Sequence, residues 1–590
     1  MHKIKKNPYS FYSLIIIVIA VIWINLNHKL WENHKSVIKW DVINYYQYLP
    51  ATFYYNDLSL KFIDKDPTLL EWKFWPHISP IGKYTGKMSM GLSFMYLPFY
   101  LLAHLQAYLT NQSTDGFSAP FTFWLIFSSL FYVFVGMLYL RKLLLKYFTD
   151  GIVALTVLSI FFGTNLLFYT TLEAPMPHAY LFSLFSIFIY YTIEWHESIN
   201  FKNSMILGLL LGLIALIRPS DSIIIIFFAF YQITSWSGFY EKLKSFVKNW
   251  KYLMLIALFS FIVWIPQLIY WKYTTGNYFY FSYQNEGFFF DNPQIIKGLF
   301  GFRKGWFVYT PLLFFAVSGI FLFFKDLKKF FLPIFIFTFL NVYIILSWWC
   351  WWYGGTYGQR VFIESYAILS IPFALFISNG FKYNRLTKIL TIVLLIVLSA
   401  HQIFQTIKFN YNSIHYDAMT KEAYFNSYFK IRPSSNFESL LRYPDYQNAV
   451  FDNNNDTKPA VILKKTIIIK ASNGKYISDN SNNNNLLFAN KENPCLWETF
   501  TIILLDNGKC GIISYQNMYL SAMIESKNEI TATISKMAPW ETFELQKIDN
   551  NHFAIKAIND KYLTCDSVSN QIFANAKTIG KNEIFEIIVK

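Results

Sequence analysis

The sequence predicts a polytopic α-helical membrane protein followed by an all-β domain of three repeats. Of its 590 residues, 54% are hydrophobic, 21% are aromatic and only 15% are charged, which is unlike a soluble protein. About twelve apolar stretches approach the length that crosses a bilayer. In the last quarter of the chain, a short tyrosine-centred motif recurs every 43 residues. Together these three observations define the fold class.

The apolar stretches predict a transmembrane domain at 1–407 with about 11–13 helices. A span needs about 20 mostly apolar residues. The first stretch follows Lys3, Lys5 and Lys6 but lacks a small-x-small cleavage site, so we expect an uncleaved anchor. The predicted spans are 12–27, 89–109, 121–145, 151–172, 178–194, 204–217, 222–236, 251–272, 307–325, 330–347, 361–379 and 386–407.

Basic residues in alternate short loops predict the orientation of the helices. The chain has 51 Lys and Arg against 36 Asp and Glu, and we attribute this excess to cytoplasmic loops and expect no nucleic-acid partner. The cytoplasmic loops are then those at 141–146, 242–248, 325–329 and 382–388. The first outer loop, 28–88, and the C-terminal domain would face outward. A cytoplasmic N-terminus and a cytoplasmic loop at 141–146 require an even number of crossings between them, but three spans are predicted there. Either 89–109 is not a simple span, or 62–88 contains a further crossing.

Residues 408–464 read as a juxtamembrane segment and an Asn-rich linker, and 465–590 as the repeat domain. An alanine follows each repeat tyrosine by 12 or 13 residues, and a W-E-T-F or N-E-I-F element begins eight residues later. The repeat triplets are Lys475-Tyr476-Ile477, Met518-Tyr519-Leu520 and Lys561-Tyr562-Leu563. Three such β-rich repeats suit a β-trefoil.

These motifs resemble the fascin-like branch of the β-trefoils, which implies carbohydrate or protein binding. Alternatively, the repeat aromatics, among them Tyr476 and Trp497, only fill the core, and this is the reading we favour. Of the four cysteines, Cys495 and Cys510 could pair in an oxidising compartment, leaving Cys565 unpaired, or all three could be buried thiols. Neither C-x-x-C spacing nor a histidine at metal-ligand spacing is present, so a structural zinc site is not expected.

The first outer loop contains the candidate catalytic carboxylate, Asp41, within Trp40-Asp-Val-Ile-Asn-Tyr-Tyr46. A carboxylate among aromatic residues at the membrane surface can be desolvated enough to act as a base and still be reachable by a polar acceptor. On spacing alone, a helix-capping role for Asp41 is the favoured alternative. The same loop contains the rival carboxylates Glu32, Asp57, Asp64, Asp66 and Glu71.

Five segments in this order resemble the GT-C class of integral-membrane glycosyltransferases, relatives of the protein mannosyltransferases and the lipid A aminoarabinose transferases. The resemblance covers about 1–430. The segments are the Asp41 motif with Tyr45, Tyr46 and Leu49-Pro-Ala51, Gly163-Thr-Asn165 with Met176-Pro-His178, Leu216-Ile-Arg218-Pro-Ser220, Glu286-Gly with Phe302-Arg303-Lys304-Gly-Trp306, and Trp351-Trp-Tyr-Gly354 with Gly358-Gln-Arg360.

The resemblance implies sugar transfer from a polyprenyl-phosphate donor to an acceptor hydroxyl of a glycan, lipid or protein at the outer face, with inversion. It assigns the catalytic role to Asp41. The leaving phosphate needs cations, and the candidates in outward loops are Arg360, Arg303, Lys304 and Arg218.

Four further residues are expected to contact the substrate: Tyr45, Tyr46, His178 and Glu286. Alternatively, His178 is a satisfied interfacial histidine, and this is the reading we favour. No cofactor is assigned. Asp41, Glu173 and Glu286 could hold a divalent metal, but some relatives need no metal, so metal dependence is left open.

Two other functions compete with the transferase. A transporter or flippase of lipid-linked glycans would place ionisable residues at mid-membrane and interrupt pairs of helices in two related halves. A membrane-anchored glycan-binding protein would use the repeat domain but would need only one anchor. The sequence favours the glycosyltransferase over both.

Overall fold

The chain forms two compact units, one helical and one made of β-strands. The computed structural model describes residues 8–452, 456–457, 463–479, 486–504, 509–516, 518–523, 528–534, 539–549 and 551–589. The helical unit comprises Met1–Ser434 and Pro444–Asn455, and the β unit comprises Ser435–Tyr443 and Asp456–Lys590.

Helices dominate the first unit throughout its described part. Short 3₁₀ turns connect several of them, notably Pro219–Ile224, Gly319–Phe324 and Arg360–Ser365. The helices are α1 (Tyr9–His28), α2 (His34–Val37), α3 (Asp41–Tyr46), α4 (Tyr48–Phe53), α5 (Leu69–Trp72), α6 (Gly91–Leu109), α7 (Ala119–Leu144), α8 (Asp150–Phe162), α9 (Leu166–Thr171), α10 (Pro177–Glu197), α11 (Phe201–Ile217), α12 (Ile225–Phe230), α13 (Trp236–Lys248), α14 (Trp250–Thr275), α15 (Ile295–Phe300), α16 (Trp306–Tyr309), α17 (Leu312–Ser318), α18 (Phe331–Leu346), α19 (Tyr366–Lys382), α20 (Arg385–Asn410), α21 (Lys421–Asn426) and α22 (Tyr446–Ala449).

Six helical segments of the described chain are long and apolar enough to cross a membrane, which indicates a multi-pass membrane protein. Shorter apolar helices lie at Asp150–Phe162, Phe201–Ile217, Pro219–Phe230 and Leu312–Phe324. The predicted spans 89–109 and 178–194 are also helical, as α6 and α10. The six long segments are Tyr9–His28, Ala119–Leu144, Trp250–Thr275, Lys328–Leu346, Arg360–Lys382 and Arg385–Asn410.

The burial of these segments differs according to their place in the bundle. In the most apolar 18 residues of Arg360–Lys382, 89% of the stretch is buried inside the protein. The corresponding share is 17% in α14 and in α20. The segment that begins at Arg360 is therefore the central one, and α14 and α20 expose their apolar faces at the periphery. Helices α11 and α14 pack closely because α11 has glycine at its contact point: a Cβ on Gly212 would lie 2.5 Å from the Ser260 carbonyl oxygen.

Polar contacts at the two ends of α1 show which ends of the first helices meet. The Arg141 Nε donates to the Ser10 Oγ at 2.7 Å, and the Ser10 amide donates to Asp150 Oδ2 at 3.2 Å. At the opposite ends, the Thr122 hydroxyl donates to the Trp31 carbonyl at 2.7 Å. Helices α1 and α7 therefore run antiparallel, and the start of α1 lies at the same end of the bundle as the turn between α7 and α8.

Helix α6 packs along the half of α7 that begins near Trp31. The Trp124 indole donates to Gln106 Oε1 at 2.6 Å, and the Tyr132 hydroxyl donates to the Met95 carbonyl at 3.0 Å. The described residues of 62–88 form only short elements, namely the end of the 3₁₀ turn Lys61–Asp64, α5, and the strands β1 (Pro76–Ile78) and β2 (Tyr84–Gly86). This packing favours the alternative in which 89–109 is not a simple span.

The β unit contains most of the remaining strands, and the predicted all-β domain is confirmed as a β-barrel. The strands that follow β2 are β3 (Tyr443–Pro444), β4 (Asp456–Thr457), β5 (Leu463–Lys470), β6 (Tyr476–Asp479), β7 (Leu487–Lys491), β8 (Thr499–Leu504), β9 (Lys509–Ile513), β10 (Tyr519–Met523), β11 (Glu529–Ile534), β12 (Thr542–Lys547), β13 (His552–Lys556), β14 (Tyr562–Cys565), β15 (Ile572–Ala576) and β16 (Ile584–Val589).

Antiparallel pairing closes a ring of strands in the order β5, β8, β9, β12, β13, β16 and back to β5. The hairpins β6–β7, β10–β11 and β14–β15 carry the repeat. Each hairpin begins at a repeat tyrosine, and the pairing register shifts directly after that tyrosine. The residue that follows the tyrosine pairs with the repeat alanine. These pairs are Ile477 with Ala489, Leu520 with Ala532 and Leu563 with Ala574.

The repeat aromatics do not all fill the core, which corrects part of the expectation. Phe500, Phe543 and Phe585 are buried, whereas Trp497 and Trp540 are 39% and 42% exposed. Phenylalanine therefore fills the core position of the W-E-T-F element, and its tryptophan lies at the surface. The described cysteines are all free thiols, and Cys495 is exposed rather than buried.

Candidate active site

Asp41 and Arg360 form an ion pair, although they lie 319 residues apart in the chain. The Arg360 Nη2 donates to Asp41 Oδ2 at 2.8 Å. The Asp41 side chain is 33% exposed and the Arg360 side chain 15%. The carboxylate is therefore reachable from outside, while the guanidinium lies deeper.

The backbone on both sides of this pair adopts conformations that L-residues seldom take. Trp40 has φ 52°, and Asp41 directly follows it as the first residue of α3. Arg360 begins a 3₁₀ turn that leads into α19, and the loop before it contains Gly354 and Gly358 at φ 70° and 58°. Unfavourable φ values in non-glycine residues concentrate at functional sites.

Glu364, which the sequence analysis missed, joins two of the predicted site residues. Its Oε1 accepts from Arg218 Nη1 at 3.0 Å and lies 2.8 Å from His178 Nδ1. Arg218 also lies 3.9 Å from Asp221. His178 is therefore hydrogen-bonded and buried, as in the interfacial alternative, and Glu364 fixes both residues.

A second ion pair, between Lys87 and Glu286, lies on another side of the site. The Lys87 ammonium donates to Glu286 Oε1, and the Trp349 indole donates to Glu286 Oε2 at 3.2 Å. The ammonium also lies 5.2 Å from the ring centre of Tyr283. Neither Lys87 nor Tyr283 was a predicted site residue.

Two tyrosines, Tyr283 and Tyr45, lie close enough to these charged groups for the charges to act on their hydroxyls. Burial raises the pKa of Tyr283 to about 12, and the charges of Arg218, Asp41, Glu286 and Arg360 all act on its hydroxyl. Burial also raises the pKa of Tyr45 well above its ordinary value. Both side chains therefore remain neutral phenols at neutral pH and can donate hydrogen bonds.

Tyr46 points away from this site. Its hydroxyl donates to the Gly116 carbonyl, and its ring packs against Tyr96, Tyr100 and Phe117. Tyr46 is therefore packed into the protein here, and its contact with substrate stays a prediction.

Four of the rival carboxylates have local partners within the first outer loop. Asp57 accepts from the Ser59 amide, Asp66 from the Thr68 amide and Asp64 from the Tyr84 hydroxyl, while Glu32 lies 3.9 Å from Lys29. The side chain of Glu71 lies outside the described part of the structure.

Arg303 and Lys304 lie together next to the loop that precedes Arg360. The Lys304 ammonium donates to the carbonyls of Thr356 and Tyr416, and Arg303 Nη1 donates to the Asp417 carbonyl at 3.2 Å. Burial lowers the pKa of Lys304 below that of an ordinary lysine. Both cations are buried against backbone oxygens.

The carboxylates considered for a metal do not assemble. Asp41 pairs with Arg360, Glu286 with Lys87, and Glu173 with Lys39 at 3.0 Å. The described residues contain no group of three or more metal-ligating side chains. These three carboxylates therefore do not fit a shared metal site in this structure.

Comparison with known sequences gives one partial match. Residues 503–590 match a family model described as "Domain of unknown function (DUF7910)". No curated protein matches the chain.

Several solved structures are similar to parts of the chain. The oligosaccharyltransferase AglB from Archaeoglobus fulgidus is 12% identical, with 68% of this chain and 55% of that chain covered and a TM-score of 0.39. The protein O-mannosyltransferase Pmt1-Pmt2 complex of S. cerevisiae is 10% identical, with 100% and 64% covered and a TM-score of 0.23. The designed threefold-symmetric protein ThreeFoil is 10% identical, with 21% and 97% covered and a TM-score of 0.20. All three TM-scores lie below 0.5, so these likenesses assign neither fold nor function.

Proposed function

We propose that this chain is a membrane glycosyltransferase of the GT-C class, which moves a sugar from a polyprenyl-phosphate donor to an acceptor hydroxyl at the extracytoplasmic face. The observation that carries the proposal is the Asp41–Arg360 pair. It combines a reachable carboxylate from the first outer loop with a less exposed arginine at the start of the central helical segment.

In this proposal Asp41 is the general base. The acceptor oxygen attacks the anomeric carbon and its proton passes to the Asp41 carboxylate. The bond from the anomeric carbon to the phosphate oxygen breaks, and its electron pair stays on the lipid phosphate. Attack from the opposite side inverts the anomeric carbon.

Cations around Asp41 suit the departing phosphate. The Nε of Arg360 is buried and has no hydrogen-bond partner among the described residues. Lys87 and Arg218 add positive charge on either side, each held by a carboxylate. Preorganised donors aimed at developing charge are the largest single source of catalysis in many enzymes.

The positions of the charges do not favour a transporter. Asp41, His178, Arg218 and Glu364 lie at or next to helix ends: the starts of α3 and α10, the end of α11 and the 3₁₀ turn before α19. A transport pathway would place ionisable groups near the middle of its helices.

Purified protein in lipid nanodiscs tests the function directly. With a polyprenyl-phosphate sugar and an acceptor glycan, we expect consumption of the donor, release of polyprenyl phosphate and labelled acceptor. Cells lacking the protein should accumulate the lipid-linked sugar. Movement of intact lipid-linked sugar between leaflets without its consumption would instead identify a flippase.

Substitution of Arg360 by lysine should reduce transfer by about 10²-fold, the loss typical for one transition-state donor. Lysine retains the charge and can pair with Asp41, but it cannot grip two phosphate oxygens as a planar guanidinium does. Donor KM and kcat of the purified variant provide the measurement. Arg141→Lys is the matched control, since Arg141 also lies near an aspartate, Asp150, but at the other end of the bundle. Equal kinetics for the two variants would remove Arg360 from the phosphate site.

The proposal includes the C-terminal unit as a fascin-like β-trefoil that holds the acceptor glycan on the outer face. The three bulged hairpins and the three buried phenylalanines support the trefoil. Trp497 and Tyr515 are exposed and lie 6.3 Å apart between ring centres, and exposed aromatic rings of this kind suit sugar binding.

Truncation after Asp452 should leave transfer to a small soluble acceptor unchanged and lower the modification of a polymeric acceptor several-fold. The reason is that the β unit raises the effective concentration of a bound polymer near the site. Initial rates with both acceptors provide the measurement, and thiol labelling of Cys495 in intact cells locates the unit. Loss of small-acceptor transfer would make the β unit part of the catalytic unit.

A further inference from the structure

Lys304 connects two distant stretches of the helical unit. Its side chain is buried, and its ammonium donates to the carbonyls of Thr356 and Tyr416. The Thr356 amide donates to the same Tyr416 carbonyl at 3.0 Å. Thr356 lies four residues before Arg360, in the loop that leads to it. Lys304 therefore connects this loop to the segment that follows α20.

A second set of contacts joins the same loop to the same segment. The Trp352 indole donates to the Tyr446 hydroxyl at 3.2 Å, and that hydroxyl donates to Asp417 Oδ2 at 2.9 Å. The Arg303 guanidinium lies 5.7 Å from the Trp352 ring centre and donates to the Asp417 carbonyl. The loop is thus attached to Tyr416, Asp417 and Tyr446 at two points along its length.

The loop has little freedom between these attachments. A Cβ on Gly355 would lie 2.8 Å from the Tyr416 ring, so this ring approaches the loop backbone as closely as glycine allows. On the opposite side, the Tyr357 amide donates to the Tyr169 hydroxyl at 3.1 Å. Displacement of the Tyr416 side would therefore shift the backbone that leads into Arg360.

We infer that Lys304 is a positioning residue, which fixes the Arg360 loop against Tyr416 and thereby sets the distance between Arg360 and the reacting groups. The inference rests on the proposed function. It gives Lys304 a role different from the phosphate contact that its charge suggested, because its ammonium is buried and donates to backbone carbonyls. A shift of about 1 Å in a positioned group can lower the rate by about 10²-fold.

The kinetic test compares Lys304→Met with Lys297→Met, which replaces an exposed lysine of the same outer stretch. We expect Lys304→Met to lower kcat by about 10–100-fold and Lys297→Met to leave it unchanged. In an Arg360→Ala background, Lys304→Met should cause little further loss, since it acts through Arg360. Equal losses in both backgrounds would overturn the positioning role.

Hydrogen exchange tests the same inference without relying on activity. The amides of Thr356 and Tyr357 should exchange faster in Lys304→Met than in wild type or Lys297→Met. If Lys304→Met does not yield folded protein, Gly355→Ala disrupts the same contact from the loop side and should have the same effect. Unchanged exchange in 350–360 would overturn the inference. If exchange is faster in Lys304→Met but the wild-type protein transfers no sugar, Lys304 still fixes the loop and only the proposed function is refuted.

Discussion

Asp41→Asn is expected to reduce sugar transfer by about 10²–10⁴-fold, the usual cost of losing a general base. The amide keeps the shape of the side chain but cannot take the acceptor's proton. It also loses the charge that pairs with Arg360 at 2.8 Å. The rate of donor consumption by the purified variant provides the measurement, and donor binding should persist because the cations of the site remain.

Asp64→Asn is the matched control for this prediction. Asp64 lies in the same outer loop, but its carboxylate accepts from the exposed Tyr84 hydroxyl at 2.8 Å and does not pair with Arg360. We expect it to retain wild-type transfer. Wild-type turnover by Asp41→Asn would falsify the assignment of the base.

The helical segments were predictable because hydropathy is a local property. Each predicted apolar stretch lies on helical segments of the structure, including 151–172, which a turn divides into α8 and α9. The number of crossings was less accessible, since it depends on packing. The short elements of 62–88 and the packing of α6 on α7, which the sequence does not show, distinguish the two alternatives for 89–109.

The repeat was also visible in the sequence, whereas the burial of its aromatics was not. A 43-residue period locates equivalent positions but does not say which side chain of W-E-T-F faces inward. The structure buries Phe500 and Phe543 and exposes Trp497 and Trp540. Alternation along a strand allows only one of its two faces to enter the core, and the tryptophan precedes the strand that contains the phenylalanine.

Much of the candidate site could not be predicted because its contacts are long-range. The partners of Lys304 lie 52 and 112 residues away, so its sequence neighbours gave no hint that backbone carbonyls surround it. Glu364 did leave a signal. It is a carboxylate inside an otherwise apolar span, and such residues face the interior and need a partner.

Glu364→Gln is expected to destabilise the helical unit strongly. Glu364 is buried and its Oε1 is shared by Arg218 and His178. Among the described residues, the amide leaves the Arg218 guanidinium with Asp221, 3.9 Å away, as its charged partner. Removing one member of a buried ion pair costs about 3–5 kcal/mol. The thermal midpoint of the variant in detergent should fall by several degrees, and donor KM should rise because Arg218 is no longer held in place.

Glu194→Gln provides the comparison, because Glu194 also accepts from a cation, Lys146, at 2.6 Å, but in a partly exposed pair. Exposed pairs contribute about 0–1 kcal/mol, and Lys146 retains Glu197 at 3.0 Å. Its thermal midpoint should therefore stay close to that of wild type. If the thermal midpoints of the two glutamine variants are equal, Glu364 does not stabilise the site. The orientation of Arg218 must then depend on Asp221.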